Sequence, residues 1–306
     1  MKKVTEGRKM WLSVMGVFLV YATIFILFED YDRQFLEPFN EVSDWHLLIF
    51  SIIVMLLLGV LLFRYARRMD ERISREQMER QNEMRRQLTQ NIAHELKTPV
   101  ASILGYTDTI LENPDISEPT KQQFIVRTNA QARRLTALLQ DISTLNRMDY
   151  APQMLTMERV DVSALVADII EETIHSVEAK KMHVHNCLPE DICIKGNWSQ
   201  LYSIFRNLID NAINYAGEGT TIDLSAEEHS QYWTFTFRDN GTGISPEHLP
   251  RIFERFYRID KGRSRALGGT GLGLAIVKNA VQLHGGSIDA RSNSGSGLCF
   301  EFTLKK

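Results

Sequence analysis

Cysteine is scarce in this chain. Only Cys187, Cys193 and Cys299 occur, an odd number, all late, with no close metal-ligand spacing. That argues against a disulfide framework and for reduced, structural thiols. An excess of one charge is missing too: 35 Lys and Arg stand against 38 Asp and Glu, a formal net charge of −3. Such a balance gives no sign of nucleic-acid binding, and no nucleic-acid partner is expected. The 306 residues have room for about two domains plus extra segments.

Two stretches lack charge altogether. Residues 11–28 carry none, and 45–63 carry none beyond the titratable His46. Each has the length that crosses roughly 30 Å of hydrocarbon at about 1.5 Å per residue. A cleaved signal peptide is the rival reading of the first, but Phe25-Ile26-Leu27-Phe28 offers no small-residue cleavage site. Two transmembrane helices are expected, 11–28 and 45–63, after a short segment 1–10. Lys2, Lys3, Arg8 and Lys9 precede the first run, and Arg64, Arg67 and Arg68 follow the second. Between them, 29–44 holds Glu29, Asp30, Asp32, Glu37, Glu41 and Asp44 against Arg33. The positive-inside rule then puts both termini in the cytoplasm and the acidic loop outside. That loop is too short to build a core and has no cysteine to staple it. A signal is expected through the spans, membrane lipid, the loop carboxylates or a partner protein.

Proline and glycine are absent from 64–88, which reads as a long exposed signalling helix with a weak seam at Met69, Ile73, Met84 and Leu88. It leads into Asn91-Ile92-Ala93-His94-Glu95-Leu96-Lys97-Thr98-Pro99. Leu88, Ile92, Leu96, Ile103, Tyr106 and Ile110 form an apolar stripe. His94 lies about 200° round the helix from Ile92 and Leu96, off that stripe, with Thr98 almost beneath it. A chemical role for His94 is favoured over a core role. Asn113-Pro114-Asp115 breaks the helix, and Ser117 can cap a second one. There Phe124, Thr128, Gln131, Leu135, Leu138, Ile142 and Leu145 alternate by four and three. Two such helices cannot enclose a core, whereas two copies can. A homodimeric four-helix bundle is expected over 89–150.

From 151 to 306 helical and strand-like stretches alternate. Helices are expected at 163–180, the first after Val160-Asp161-Val162, and at 199–215 and 274–284, with strands at 183–186, 192–195, 221–226, 232–239, 287–292 and 298–304. Mostly antiparallel strands with helices suggest an α/β two-layer sandwich. Three motifs carry chemistry. Asn207, Asn211 and Asn214, followed by Tyr215, lie on one helical face, and amide oxygens suit Mg²⁺. Asp239, ahead of Gly241 and Gly243, can accept a hydrogen bond from an exocyclic amine such as adenine's. Gly269-Thr270-Gly271-Leu272-Gly273 opens a helix whose amides can hold phosphates. The spacing is not a Rossmann fingerprint, and no Gly-Lys-Ser/Thr follows for a Walker A loop. The three together make a nucleotide site.

With these residues in view, the chain resembles the membrane-bound sensor histidine kinases of bacterial two-component systems over about 64–306. HELKTP from His94 looks like the family's H box, NLIDNAINY from Asn207 the N box and DNGTGI from Asp239 the first G box. FERFYR from Phe253 to Arg258 is similar to the lid's F box, and GGTGLGLAIV to the second G box. The resemblance implies a dimeric phosphoacceptor domain and a Bergerat-type ATP-binding fold, with ATP and Mg²⁺ as cofactors. It implies His94 as phosphoacceptor, Asn207 and Asn211 at the Mg²⁺-phosphate site with Asn211 as direct ligand, Asp239 reading adenine, and Arg258 reaching the phosphates from the lid. Glu95 and Thr98 would form an E-x-x-T element linked to phosphatase activity. The cellular site implied is the bacterial inner membrane, and the partner a separate response regulator's receiver domain. Asn214 stands where the N box often has lysine, which shifts phosphate neutralisation to Arg258, Lys261 or Arg263. Asn197 replaces an aspartate, and 295–298 departs from a usual Gly-Thr.

The chemistry expected is phosphoryl transfer to a neutral imidazole. Glu95 would accept from Nδ1–H and leave Nε2 as the attacking atom. The rival class is a membrane scaffold or switch that binds ATP without catalysis. A transporter built on two spans without buried charge is a weaker alternative.

Overall fold

The structure is a computed structural model that describes residues 23, 24, 26, 27, 30, 31, 45–150, 156–260, 269–292 and 297–306. They fall into two compact units, Met1–Arg86 and Gln87–Lys306. Among the described residues no helix is long and apolar enough to cross a membrane. Most of the expected span 11–28 lies outside them, with 1–10 and most of the acidic loop, and so do the side chains at 45–48 and 50. What is described of the second run belongs to helix α1, Trp45–Glu112. Its Ile52, Ile53, Leu56, Leu57, Val60 and Leu61 are all exposed. Arg64, Arg67 and Arg68 follow the run directly.

No helix breaker interrupts 64–88, and α1 passes through that segment unbroken. It also contains Pro99, which is buried. A proline inside a helix donates no hydrogen bond and crowds the carbonyl four residues back. Here that carbonyl belongs to Glu95, so the helix is loosened beside His94. A turn at 113–117 leads to α2, Glu118–Tyr150. The Ser117 carbonyl accepts from the Lys121 N–H at 3.0 Å, which starts the new helix. The Ser117 hydroxyl meets the Thr120 hydroxyl at 2.8 Å, in place of a side-chain cap to backbone. Tyr106 of α1 stacks on Phe124 of α2, ring centroids 5.4 Å apart.

The expected seam on α2 is in part already used within one chain. Leu138 and Leu145, with Met148, are buried in the same cluster as the core of the following α/β layer. Val100, Leu104, Ile125, Val126 and Leu139 remain exposed on the hairpin instead.

Beyond the hairpin, β1 (Glu158–Asp161) pairs antiparallel with β3 (Cys193–Gly196). A five-stranded sheet runs in the order β2-β4-β5-β7-β6. Its strands are β2 (His183–Cys187), β4 (Thr221–Glu228), β5 (Tyr232–Asp239), β6 (Ile288–Ser292) and β7 (Leu298–Lys305). Only β2–β4 is parallel; β4–β5, β5–β7 and β6–β7 are antiparallel. Helices α3 (Val162–Ala179), α4 (Trp198–Tyr215) and α5 (Gly273–Leu283) supply the second layer. Each buries one stripe, such as Leu201, Ile204, Phe205, Leu208, Ile209 and Ala212 on α4. Asp161 caps α3 by accepting from Ala164 N–H at 3.0 Å. Asn197 caps α4 by accepting from Gln200 N–H at 3.1 Å, so its replacement of aspartate leaves the cap intact.

The core is set by strand alternation. On β5, Trp233, Phe235, Phe237 and Asp239 are buried while residues between them are not. On β7 the same holds for Leu298, Phe300, Phe302 and Leu304. The register pairs Phe235 with Phe302 and Phe237 with Phe300. Phe235 and Phe302 stack at 5.2 Å, and Phe205 of α4 closes over both. The alternation that buries three aromatic rings therefore buries a carboxylate as its last member.

Candidate functional site

Asp239 is 4% exposed. Its Oδ1 accepts from Gly241 N–H at 2.9 Å and from Leu298 N–H at 3.4 Å. Oδ2 accepts no hydrogen bond among the described residues. Burial pushes the carboxyl above the ordinary carboxylate range, partly offset by the two amides. Gly241 is obligatory here, since a Cβ would lie 2.3 Å from the Ala216 carbonyl oxygen at the end of α4. Gly243 has φ 64, in the left-handed region. The loop that follows is tied down by Ile244 N–H donating to Ser292 Oγ at 2.8 Å, and Ser292 donates onward to the Gly297 carbonyl at 2.8 Å.

Across the cleft, Asn207, Asn211 and Asn214 share one half-buried face of α4, and Tyr215 is exposed at its end. Asn207 donates from Nδ2 to the Ser203 carbonyl at 2.7 Å, which turns its Oδ1 outward. A Cβ on Gly273 would come within 2.6 Å of that oxygen. The glycine thus lets the first turn of α5 approach an amide oxygen directly. Amide oxygens turned toward a helix N-terminus fit a hard cation that also holds phosphate oxygens. Among the described residues no group of three or more His, Cys, Asp or Glu could hold a metal ion.

The segment between the two glycine loops holds a short 3₁₀ turn, Leu249–Arg251. Phe253 packs edge-on against Phe300 at 6.2 Å. Phe256 adopts φ 64, uncommon for a bulky residue, and its N–H donates to the Gly271 carbonyl at 2.8 Å. Lys261 and Arg263 lie outside the described residues, as do Gly268 and 293–296. Arg258 is described, and it does not face the cleft as expected. Its side chain is 5% exposed, and its guanidinium donates to Glu95 Oε2 at 3.1 Å. Its Nε is buried with no partner among the described residues. A Cβ at Gly271 (φ 73) would lie 3.1 Å from that Nε.

His94 is 68% exposed on the hairpin. Glu95 does not orient it in this conformation: Glu95 Oε1 is 3.9 Å from His94 Nδ1, beyond hydrogen-bond reach. Glu95 is instead held by Arg258 and, at 3.3 Å, by Arg134. Thr98 Oγ1 donates to the His94 carbonyl at 3.3 Å. Thr270 is likewise engaged away from the cleft, donating to Asp141 Oδ2 at 2.7 Å while accepting from Leu272 N–H at 3.2 Å. Burial raises the Asp141 carboxyl above its ordinary value. Arg255 and Asn279 both reach Asp149 Oδ1, at 2.8 and 3.4 Å. Sequence reasoning missed Arg134, Asp141 and Asp149. Their one signal was charge at positions of α2 next to its heptad seam.

Asp239 generates a prediction with a defined sign. Its folded-state pKa is raised, so its contribution to stability is complete below the ordinary carboxylate range. That contribution is lost as pH rises through the raised value, and ionised Asp239 costs stability at neutral pH. Asp239→Asn keeps an oxygen for the two amides and removes the buried charge. Melting temperature should rise at pH 7 and not near pH 3. Adenine-nucleotide affinity should fall about 10–100-fold as the amide donor opposes the ligand's amine. Undiminished nucleotide affinity would remove Asp239 from the site.

Comparison with known proteins places these features. Residues 84–151 match the His Kinase A (phospho-acceptor) domain, and 196–306 match the histidine kinase-, DNA gyrase B- and HSP90-like ATPase family. The sensor histidine kinase RppB of Synechocystis is 35% identical over 223 residues, 72% of this chain and 49% of its own length. The sensor-like histidine kinase SenX3 of Mycobacterium tuberculosis is 34% identical over 220 residues, 72% and 53% of the two chains. Full-length ShkA, solved in complex with AMPPNP, superposes with TM-score 0.52 at 25% identity, over 69% of this chain and 44% of its own. The chain thus spans about half the length of the curated relatives it matches. A phosphoacceptor hairpin followed by an ATPase-like α/β domain, each matched in the same order, makes the chain a member of the two-component sensor histidine kinase family.

Proposed function

We propose that this chain is a membrane-bound sensor kinase that phosphorylates its own His94 from Mg·ATP and passes the phosphoryl group to an aspartate of a separate response regulator. The observation that carries the reading is the buried Asp239 carboxylate. Its Oδ2 carries no hydrogen bond among the described residues, and it lies in the same unit as an exposed histidine on a proline-containing helix. Asp239 Oδ2 accepts from the adenine amine. The amides at Gly271, Leu272 and Gly273 take the phosphates at the α5 N-terminus. Asn211, with Asn207 beside it, holds Mg²⁺, which when bound neutralises charge on the phosphate oxygens. His94 Nε2 bonds to the γ-phosphorus as its bond to the bridging oxygen breaks, and ADP leaves. Glu95 accepts from Nδ1–H and stabilises the ring as it becomes positive. For this, the 3.9 Å gap between Glu95 and His94 must close. The described conformation therefore corresponds to a state outside transfer.

Thr98 sits one turn from His94 and positions water when the phosphorylated regulator is hydrolysed. Dimerisation is supported by the apolar side chains that one hairpin leaves exposed, among them Val100, Leu104 and Val126. Membrane insertion, with both termini cytoplasmic and lipid around the spans, rests on the uncharged runs 11–28 and 45–63 and their basic flanks.

His94→Gln should reduce acid-labile autophosphorylation to background while nucleotide affinity stays within about twofold. Retained labelling would sink the assignment. In the Thr98→Ala variant, hydrolysis of the phosphorylated regulator should fall well before autophosphorylation does. An equal loss of both would argue against separate roles. Alkaline extraction of membranes from cells expressing the chain should leave it in the pellet, and release into the supernatant would refute insertion.

A further inference from the structure

Glu95 lies between two guanidinium groups of different origin. Arg134 projects from α2, in the same hairpin as Glu95 and His94. Arg258 comes from the lid of the ATP-binding domain. Both contact Oε2, at 3.3 and 3.1 Å, which leaves Oε1 as the oxygen nearest His94 Nδ1. The charged side chains are well buried: Glu95 is 12% exposed, Arg134 11% and Arg258 5%.

This geometry poses an electrostatic problem for the reading proposed above. For Arg258 to reach the nucleotide phosphates, as the resemblance implies, it must leave Glu95. A buried carboxylate that loses its only cation is strongly disfavoured, and its usual responses are to take up a proton or turn to solvent. Either response removes the acceptor that the His94 ring needs. A second, resident cation on the same oxygen solves the problem. Arg134 does not move with the lid, because it is anchored on the helix that packs against α1.

We propose that Arg134 is a positioning residue for phosphorylation of His94. It holds Glu95 in place, with Oε1 turned toward Nδ1, when Arg258 departs for the nucleotide. It touches neither the nucleotide nor the imidazole, and it acts through Glu95. Among the described residues, His94 from its own helix, Arg134 from α2 and Arg258 from the lid face the Glu95 carboxylate. The inference rests on the kinase reading, and its test separates the two.

The full chain carrying Arg134→Gln, Arg134→Lys, Glu95→Gln or Arg134→Gln with Glu95→Gln is assayed for autophosphorylation with labelled ATP over a range of ATP concentrations. Arg134→Gln should lower the maximal rate by at least about tenfold, with KM for ATP within about twofold of wild type. Arg134→Lys keeps the charge and should recover most of that loss. The double variant should be no slower than the slower single one, because both act on the same hydrogen bond. A long-range ¹⁵N correlation spectrum of the wild-type chain bound to AMPPNP should show His94 protonated on Nδ1, with Arg134→Gln shifting the population toward the Nε2–H tautomer. Multiplicative losses in the double variant, an effect confined to KM, or no rescue by lysine would overturn the proposal. So would an unchanged His94 tautomer in a folded Arg134→Gln chain. A wild-type chain that takes no label on His94 would overturn the kinase reading itself.

Discussion

Everything in the ATP-binding domain depends on how β5 pairs with β7. The register stacks Phe235 on Phe302 and sets Phe237 opposite Phe300, closing a core under α4 and α5. Because side chains alternate with a period of two, that register leaves no choice about Asp239. It must point into the helical layer, where its charge is unwelcome. The two backbone amides on Oδ1 offset only part of the cost, and the carboxyl's raised pKa records the remainder. In the proposed reading a group held this way serves recognition rather than stability. A donor that meets Oδ2 recovers what folding left unsatisfied, so ligand selectivity and the strain of burial come from one cause.

The contacts between hairpin and ATP-binding domain follow a second logic. Three carboxylates, Glu95, Asp141 and Asp149, meet Arg258, Thr270, Arg255 and Asn279. Two of these four, Arg258 and Thr270, belong to segments that the resemblance assigns to nucleotide binding. In that reading the contact that docks the domain and the contact that binds substrate compete for the same donors. Among the described residues the buried Nε of Arg258 has no partner, so the docking contacts described leave this donor unused. A guanidinium with a donor left over is easier to transfer to a phosphate than one fully bonded in place.

Much of this was legible in the amino-acid sequence, because the signals are local. Alternation located β5 as 232–239, as observed, and the helix expected at 199–215 begins one residue earlier, at Trp198. Asn–x₃–Asn–x₂–Asn spacing put three amides on one face of α4, since 3.6 residues make a turn. The helix expected from 163 begins one residue earlier, at Val162, because the Asp161 carboxylate caps it. What was not legible is tertiary. A heptad on α2 does not say which apolar residues meet their own chain and which await another copy. Leu138 and Leu145 are buried within the chain, while Leu139 beside Leu138 is exposed. Nor does an E-x-x-T spacing reveal that Glu95 is claimed by arginines 39 and 163 residues away. Local pattern fixes which groups exist and which way they face, whereas the pairing of charges across 100 residues is decided by how the domains meet.

That pairing changes how the nine residues around His94 are understood. On the helix alone, Glu95 is the histidine's neighbour and natural partner. In the folded unit the carboxylate is shared among a ring 3.9 Å away and two guanidiniums within 3.3 Å, and the guanidiniums hold the nearer oxygen. Pro99 adds freedom at this point, because the Glu95 carbonyl lacks the helical donor that any other residue at that position would supply. A loosened turn and a carboxylate with competing partners have the same consequence. Small displacements of α1 or of the lid redistribute hydrogen bonds at His94 without unfolding anything. Sensitivity at the phosphoacceptor then needs no separate hinge. It follows from placing a proline, a carboxylate and a histidine within six residues, and from letting another domain reach one of them.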